Sequence, residues 1–206
     1  MQFAPQTRNH GGLKPPWFTF FGSIGLTLLF LVFGAAPEFM LYDRHALAQG
    51  EVWRLFTGHL VHLDQTHLIW NLGAFVGVSL VLESLLGWRI RHQLTVFLIA
   101  ALGVDLYLWA GRPDITYYCG LSALLNAQLA ACLFALARRQ GPWVPLIIGF
   151  GALTKIVVES ERGSNLLSTL AWPTLPDAHL AGFIWGSGAC LFLISRRVRF
   201  LRQKRV

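Results

Sequence analysis

The sequence predicts an all-α membrane protein, a bundle of six transmembrane helices, and three observations carry that prediction. Hydrophobic residues make up 54% of the 206 positions against 13% charged, with a mean hydropathy of +0.52, so the chain has too little polar side chain to cover a water-facing surface. The apolar residues are gathered into six runs of the length a helix needs to cross a bilayer, roughly 17 to 25 residues. Lysine and arginine collect between alternate runs, as they do where basic loops stay on one side of a membrane.

The first run, Trp17 to Ala36, holds no charge and follows a polar, proline-containing stretch. It has no small-residue cleavage site ahead of a soluble domain, so it is expected to stay as a span and not to leave as a signal peptide. The second extends from about His67 to Leu86, the third from Leu94 to Ala110 and the fourth from Leu121 to Ala137. The fifth, Trp143 to Val158, and the sixth, Ala178 to Ser195, complete the set. With six spans the termini share a side, and that side collects Arg8, Lys14, Arg89, Arg91, Arg138, Arg139 and the six basic residues between 196 and 205. The opposite side has Arg44, Arg54, Arg112 and Arg162, while Lys155 falls within a span. Both termini are therefore expected in the cytoplasm. Residues 1–16 are a short N-terminal segment, 17–195 the six-helix bundle, and 196–206 a basic tail.

The net charge of +7 reflects this bias. The tail suits anionic lipid headgroups; it lacks the aromatic–basic interleaving or folded module of a nucleic-acid binder, and none is expected as a partner. Cys119, Cys132 and Cys190 have the spacing of neither a disulfide framework nor a thiolate zinc site and read as small apolar packers. His59, His62 and His67 lie close in sequence, yet no HExxH supplies zinc ligands with a base, so neither metal nor cofactor is expected. His10, His45 and His92 read as solvated loop residues. Asp105 and Lys155 are ionisable groups inside spans, expensive there unless paired; they could pair with each other, or Lys155 with Glu159. A transporter is not expected, because no internal repeat or pair of broken helices is present.

The chemistry sits at the outer mouth. In the predicted topology the fourth and sixth helices both descend from that face, which puts Ser122 and His179 at the same depth. A serine needs a general base to become a nucleophile, and histidine is the usual one. At a helix start the macrodipole opposes an imidazolium, which favours the neutral, proton-accepting ring. Close approach of membrane helices requires small residues four apart; the fourth helix has Ala123, Ala127 and Ala131, and the sixth has Gly182, Gly186 and Cys190, on the face that carries His179. In "HLVHLDQTHLIWNLGAF", His67 and Asn71 lie at i and i+4 near the same mouth, an imidazole and an amide able to donate to an oxyanion.

"EVWRLFTGHLVHLDQTHLIWNLGAF", "GLSA" and "AHLAGFIWG", in that order on the second, fourth and sixth helices, resemble the rhomboid family of intramembrane serine proteases, over essentially the whole chain. The family's outer motif is matched by His62, His67 and Asn71, its serine motif by Gly120 and Ser122, and its base by His179 followed by Gly182 and Gly186. The resemblance implies Ser122 as nucleophile, His179 as base and then acid, and His67, Asn71 and the Ser122 N–H as oxyanion donors. It implies a structural His62, an outer loop anchored by Trp53 and Arg54, and a helix tie near the inner face at Glu83 and Gly87. No third acid is implied; Asp177 is expected to cap the sixth helix. The fifth helix and the segment "SERGSNLLSTLAWPTLPD" are the candidates for a sideways gate. Ala123 stands where the family usually has glycine, and Asn126 where a tyrosine or histidine commonly neighbours the catalytic histidine.

The compact form, "KIVVE" and "DAHLAG" look like the rhombosortases, a bacterial branch. Membership implies an inner-membrane enzyme with its site toward the periplasm, acting on membrane-anchored proteins that end in a GlyGly-CTERM tail, a hydrophobic C-terminal segment. A general rhomboid protease of other specificity, or a catalytically dead relative that binds membrane segments, are the alternatives. The oligomeric state is not legible.

Overall fold

The computed structural model describes residues 15–163 and 175–203, with side chains to residue 195. Pro15 and Pro16 precede α1 (Trp17–Phe33), where a fixed φ and a missing N–H cost a helix start nothing. The next amides of that first turn would be stranded in an apolar setting. The Glu83 carboxylate takes them: it accepts from the N–H groups of Phe18 and Thr19 at 3.0 and 2.9 Å and from the Thr19 hydroxyl at 2.7 Å, a negative charge placed at the positive end of the helix. Glu83→Ala is expected to lower the stability of the purified protein by about 3 kcal/mol, and Glu83→Gln by about 1 kcal/mol, read as thermal unfolding in detergent. The arrangement of Ser122 and His179 should survive in both at low temperature.

Gly34, at φ +78°, closes α1 before Ala36, so this helix is three residues shorter than the apolar run. The irregular segment that follows carries β1 (Tyr42–Asp43), α2 (Arg44–Ala48) and α3 (Arg54–Thr57). Arg54, buried, fastens it: its guanidinium meets Glu51 at 2.7 Å and the carbonyls of Glu38 and Leu41 at 2.5 and 2.9 Å. Trp53 Nε1 donates to Phe39 O at 3.1 Å and the Thr57 hydroxyl to Met40 O at 2.7 Å.

Five long helices follow. α4 (Gln65–Leu80) opens into a π turn at Val81–Leu85, and α5 (Ile90–Leu106) ends in another at Tyr107–Gly111. β2 (Tyr117–Tyr118) pairs antiparallel with β1, Tyr118 opposite Tyr42. Then come α6 (Ser122–Gln140), α7 (Trp143–Arg162) and α8 (Pro176–Gln203), whose backbone continues through most of the basic stretch. Among the described residues, 65–85, 90–111, 143–162 and 176–195 are long and apolar enough to cross a membrane. α1 is apolar but has 17 residues, about 26 Å at 1.5 Å per residue. α6 is the most enclosed: nine of its residues are buried, so much of its surface contacts protein and need not be apolar enough for lipid.

α6 and α8 make the closest crossing. Gly182 and Gly186 lie directly on the backbones of Ala123 and Ala127, with no room for a methyl group, and the Trp185 ring of α8 lies on Gly103 of α5. Beneath this crossing the Gln128 amide donates to Ser79 Oγ at 2.8 Å and Gln93 Oε1 at 2.7 Å, a fully buried polar bridge joining α4, α5 and α6. Arg139 at the far end of α6 meets the Leu85 carbonyl. α7 is peripheral, with Pro145, Ile156 and Glu159 buried on an otherwise open helix.

Several expectations change. Asp105 does not meet Lys155: it faces His59 Nε2 at 3.2 Å, and Lys155 pairs with Glu159 at 2.6 Å, one turn along the same helix. Asp177 does not cap α8. It lies inside the first turn and takes Arg112 at 2.6 Å, because the helix starts at Pro176, two residues before the expected Ala178. His92 is not a loop residue; its Nδ1 accepts from the Arg89 N–H in the first turn of α5, at 3.2 Å. Of the proposed gate, residues 164–174 lie outside the described residues.

Candidate active site

Ser122 is the first residue of α6 and His179 lies in the first turn of α8. The glycine contacts one turn further in draw the two helix starts together, and His179 Nε2 lies 2.9 Å from Ser122 Oγ. That is hydrogen-bond distance in the geometry a base needs to take the hydroxyl proton. His179 is 7% exposed and its other nitrogen, Nδ1, has no partner among the described residues. Asp177, two residues away, is committed to Arg112. Among the described residues no carboxylate therefore stands behind the imidazole.

The loop before the serine is built on Gly120. Its φ of +118° is one that side chains disfavour, its N–H donates to Gly58 O at 2.9 Å, and a methyl on it would strike the His67 ring. Both reasons demand glycine. The loop thus turns onto α6 with the serine at its first position, where the first helical N–H groups lack intrahelical partners.

His67 and Asn71 approach this loop from α4. Asp64 caps α4 by accepting from the His67 N–H at 2.7 Å. The Leu63 N–H donates to His67 Nδ1 at 3.4 Å, which leaves the ring proton on Nε2, the nitrogen beside Gly120. Asn71 is 5% exposed and its Nδ2 has no partner among the described residues. A buried amide donor held without an acceptor is costly, and it points to the same place as His67: the Gly120–Ser122 turn. His62 packs its ring against His67 with centroids 5.1 Å apart. Burial, with the neighbouring His67, lowers its pKa to about 3, so it stays neutral and acts as a spacer behind the donor.

Three features lie beyond what the sequence signals. Tyr118, four residues before the serine, donates its hydroxyl to Gly120 O at 3.4 Å. The His59–Asp105 pair lies behind it, the His59 ring edge-on to Tyr118 with centroids 5.5 Å apart. Arg112, held by Asp114 at 2.8 Å, spans to Asp177 and so clasps the first turn of α8, with the Ser160 hydroxyl of α7 at 3.5 Å from the same carboxylate. The doublet "YY" beside "GLSA" was visible and Asp105 stood out as an ionisable group within a span, but nothing in the sequence paired Asp105 with His59 or Arg112 with Asp177. Asn126 does not turn toward the dyad: its amide donates to Ser122 O at 2.9 Å. Ala123 is fully buried in an apolar cluster with Ala178, Ala181, Val104 and Leu108. Cys119 beside the loop is a thiol, not a thiolate, because burial raises its pKa to about 12.

Residues 49–196 match the family model described as the Rhomboid domain. No curated protein matches the chain.

Proposed function

The chain belongs to the rhomboid family, whose members are multi-pass intramembrane serine proteases, and from that premise we propose that it cuts peptide bonds with the Ser122–His179 dyad. The observation that carries this reading is the 2.9 Å contact between His179 Nε2 and Ser122 Oγ. Ser122 Oγ attacks the carbonyl carbon as His179 takes its proton. The oxyanion receives donors from His67 Nε2, Asn71 Nδ2 and the Ser122 N–H, and the amine leaves with the proton from His179. Water then repeats the cycle on the acyl-enzyme. Asn71→Ala is expected to lower kcat by about 10²-fold with KM little changed, because the amide is needed when charge develops and not before; steady-state cleavage measures both.

All six long helices span in this reading, α1 and α6 included, with both termini cytoplasmic and the site open to the periplasmic face of a bacterial inner membrane. The segregation of charge supports it: Arg44, Arg54 and Arg112 are fastened into the loops at the serine end, and Arg138 and Arg139 lie at the opposite end of α6. α7, thinly packed, is the element a substrate helix would displace.

The substrate class is a protein ending in a GlyGly-CTERM tail, on the likeness to rhombosortases. A fusion carrying such a tail should be cut in membranes containing the protein and not in those containing Ser122→Ala. Labelling of Ser122 by a fluorophosphonate without cleavage of the tail would mean a protease of other specificity. A folded protein that neither cuts nor labels would overturn the protease reading.

A further inference from the structure

Gly120 is held at both its amide and its carbonyl: the N–H donates to Gly58 O at 2.9 Å, and the carbonyl accepts from the Tyr118 hydroxyl at 3.4 Å. Both ties lead to His59. It follows Gly58 in the chain, its N–H donates to Phe56 O at 3.2 Å, and its ring stands edge-on to Tyr118 with centroids 5.5 Å apart. The imidazole is anchored in turn, with Nε2 at 3.2 Å from Oδ1 of Asp105 on α5. That stretch of α5 is fixed, since Gly103, two residues earlier, lies under the Trp185 ring of α8.

His59 and Asp105 are 1% and 5% exposed, and neither the dyad nor the oxyanion donors touch them. An ionisable pair buried at a span is costly, and well-packed apolar residues of similar volume would often be as stable or more so. What the pair supplies is direction, because a hydrogen bond fixes an angle and a distance where apolar contact fixes neither. We infer that His59 and Asp105 are positioning residues for the nucleophile: Asp105 fastens the imidazole to α5, and His59 steadies Gly58 and Tyr118, the two groups that hold Gly120. Ser122 follows two residues on, and the turn so held sets its hydroxyl 2.9 Å from His179 Nε2. The inference rests on the proposed role of Ser122 as nucleophile.

The double variant His59→Phe/Asp105→Val keeps an aromatic ring against Tyr118, removes the anchoring hydrogen bond and leaves no polar group unpaired. Its thermal unfolding temperature is expected to match or exceed wild type, while kcat falls about tenfold or more with KM little changed, as for a nucleophile displaced by a fraction of an ångström. Labelling of Ser122 by a fluorophosphonate should slow by the same factor. Amide hydrogen exchange in residues 117–121 should quicken, with the interiors of α5 and α6 as protected as before. A folded double variant with wild-type rate and wild-type exchange in that segment overturns the inference and leaves the protease reading intact. Should the double variant fail to fold, Asp105→Ser, too short to reach the imidazole, is compared with Asp105→Asn, which still offers it an oxygen. The rate is expected to fall in the first and to stay within about threefold of wild type in the second; equal rates overturn the inference. If folded wild-type protein neither cuts nor labels at Ser122, the protease reading fails on its own, and the exchange measurement alone decides whether the pair holds the turn.

Discussion

Ser122→Ala is expected to reduce cleavage to background, a loss on the order of 10⁴-fold or more, and His179→Ala to do nearly the same. The two residues are joined by one hydrogen bond of 2.9 Å, and in the proposed mechanism they act as a unit, so the double variant should be no worse than the worse single one. Non-additivity separates a working dyad from two residues that merely pack, for which the losses would multiply. Both side chains lie at helix starts and neither is the sole support of a buried element, so thermal unfolding should remain close to wild type. A variant that keeps a substantial part of the activity would show that proton transfer runs through another group. Because His179 Nδ1 has no carboxylate partner, Asp177→Asn is not expected to reproduce the loss; its effect should come through Arg112 and the first turn of α8.

The second large effect is expected from one methyl group. Gly182→Ala places a carbon on the Ala123 carbonyl, and Gly186→Ala places one on the Ala127 backbone. Backbone atoms cannot rotate aside, so the α6–α8 crossing must widen. Overpacking of this type costs about 1–3 kcal/mol, and an error of about 1 Å between a nucleophile and its base costs about 10²-fold in rate. Gly188, on the same helix, has open space where its Cβ would be, and Gly188→Ala should leave both stability and rate near wild type or slightly better. Cleavage and thermal unfolding of the three variants decide the matter. Equal behaviour at 182, 186 and 188 would show that the crossing does not set the dyad.

Legibility followed the range of each interaction. The helices could be read because apolar length and turn chemistry are local, and their ends moved by a few residues where a backbone detail decided: Gly34 stopped α1 early, and Pro176 started α8 early enough to move Asp177 off the cap. Ser122, His179, His67 and Asn71 stood out because each sits in a short motif or on one helix face. Lys155 had a partner one turn away, Glu159, and that alternative was in view. Asp105 had none nearby; its partner, 46 residues back, is His59, which the sequence offered only as one of three neighbouring histidines.

By itself, then, the sequence determined a helical membrane protein and the residue types of its chemistry, since hydropathy, charge placement and the serine and histidine motifs are properties of short windows of chain. Only the tertiary structure decided what those residues touch. Glu83 reaches α1 across 65 positions, His179 reaches Ser122 across 57, and Arg112 reaches Asp177 across 65. Such contacts depend on how closely helices cross. The strip of small residues was legible in the sequence; how closely Gly182 and Gly186 lie on the backbones of Ala123 and Ala127, which sets that distance, was not.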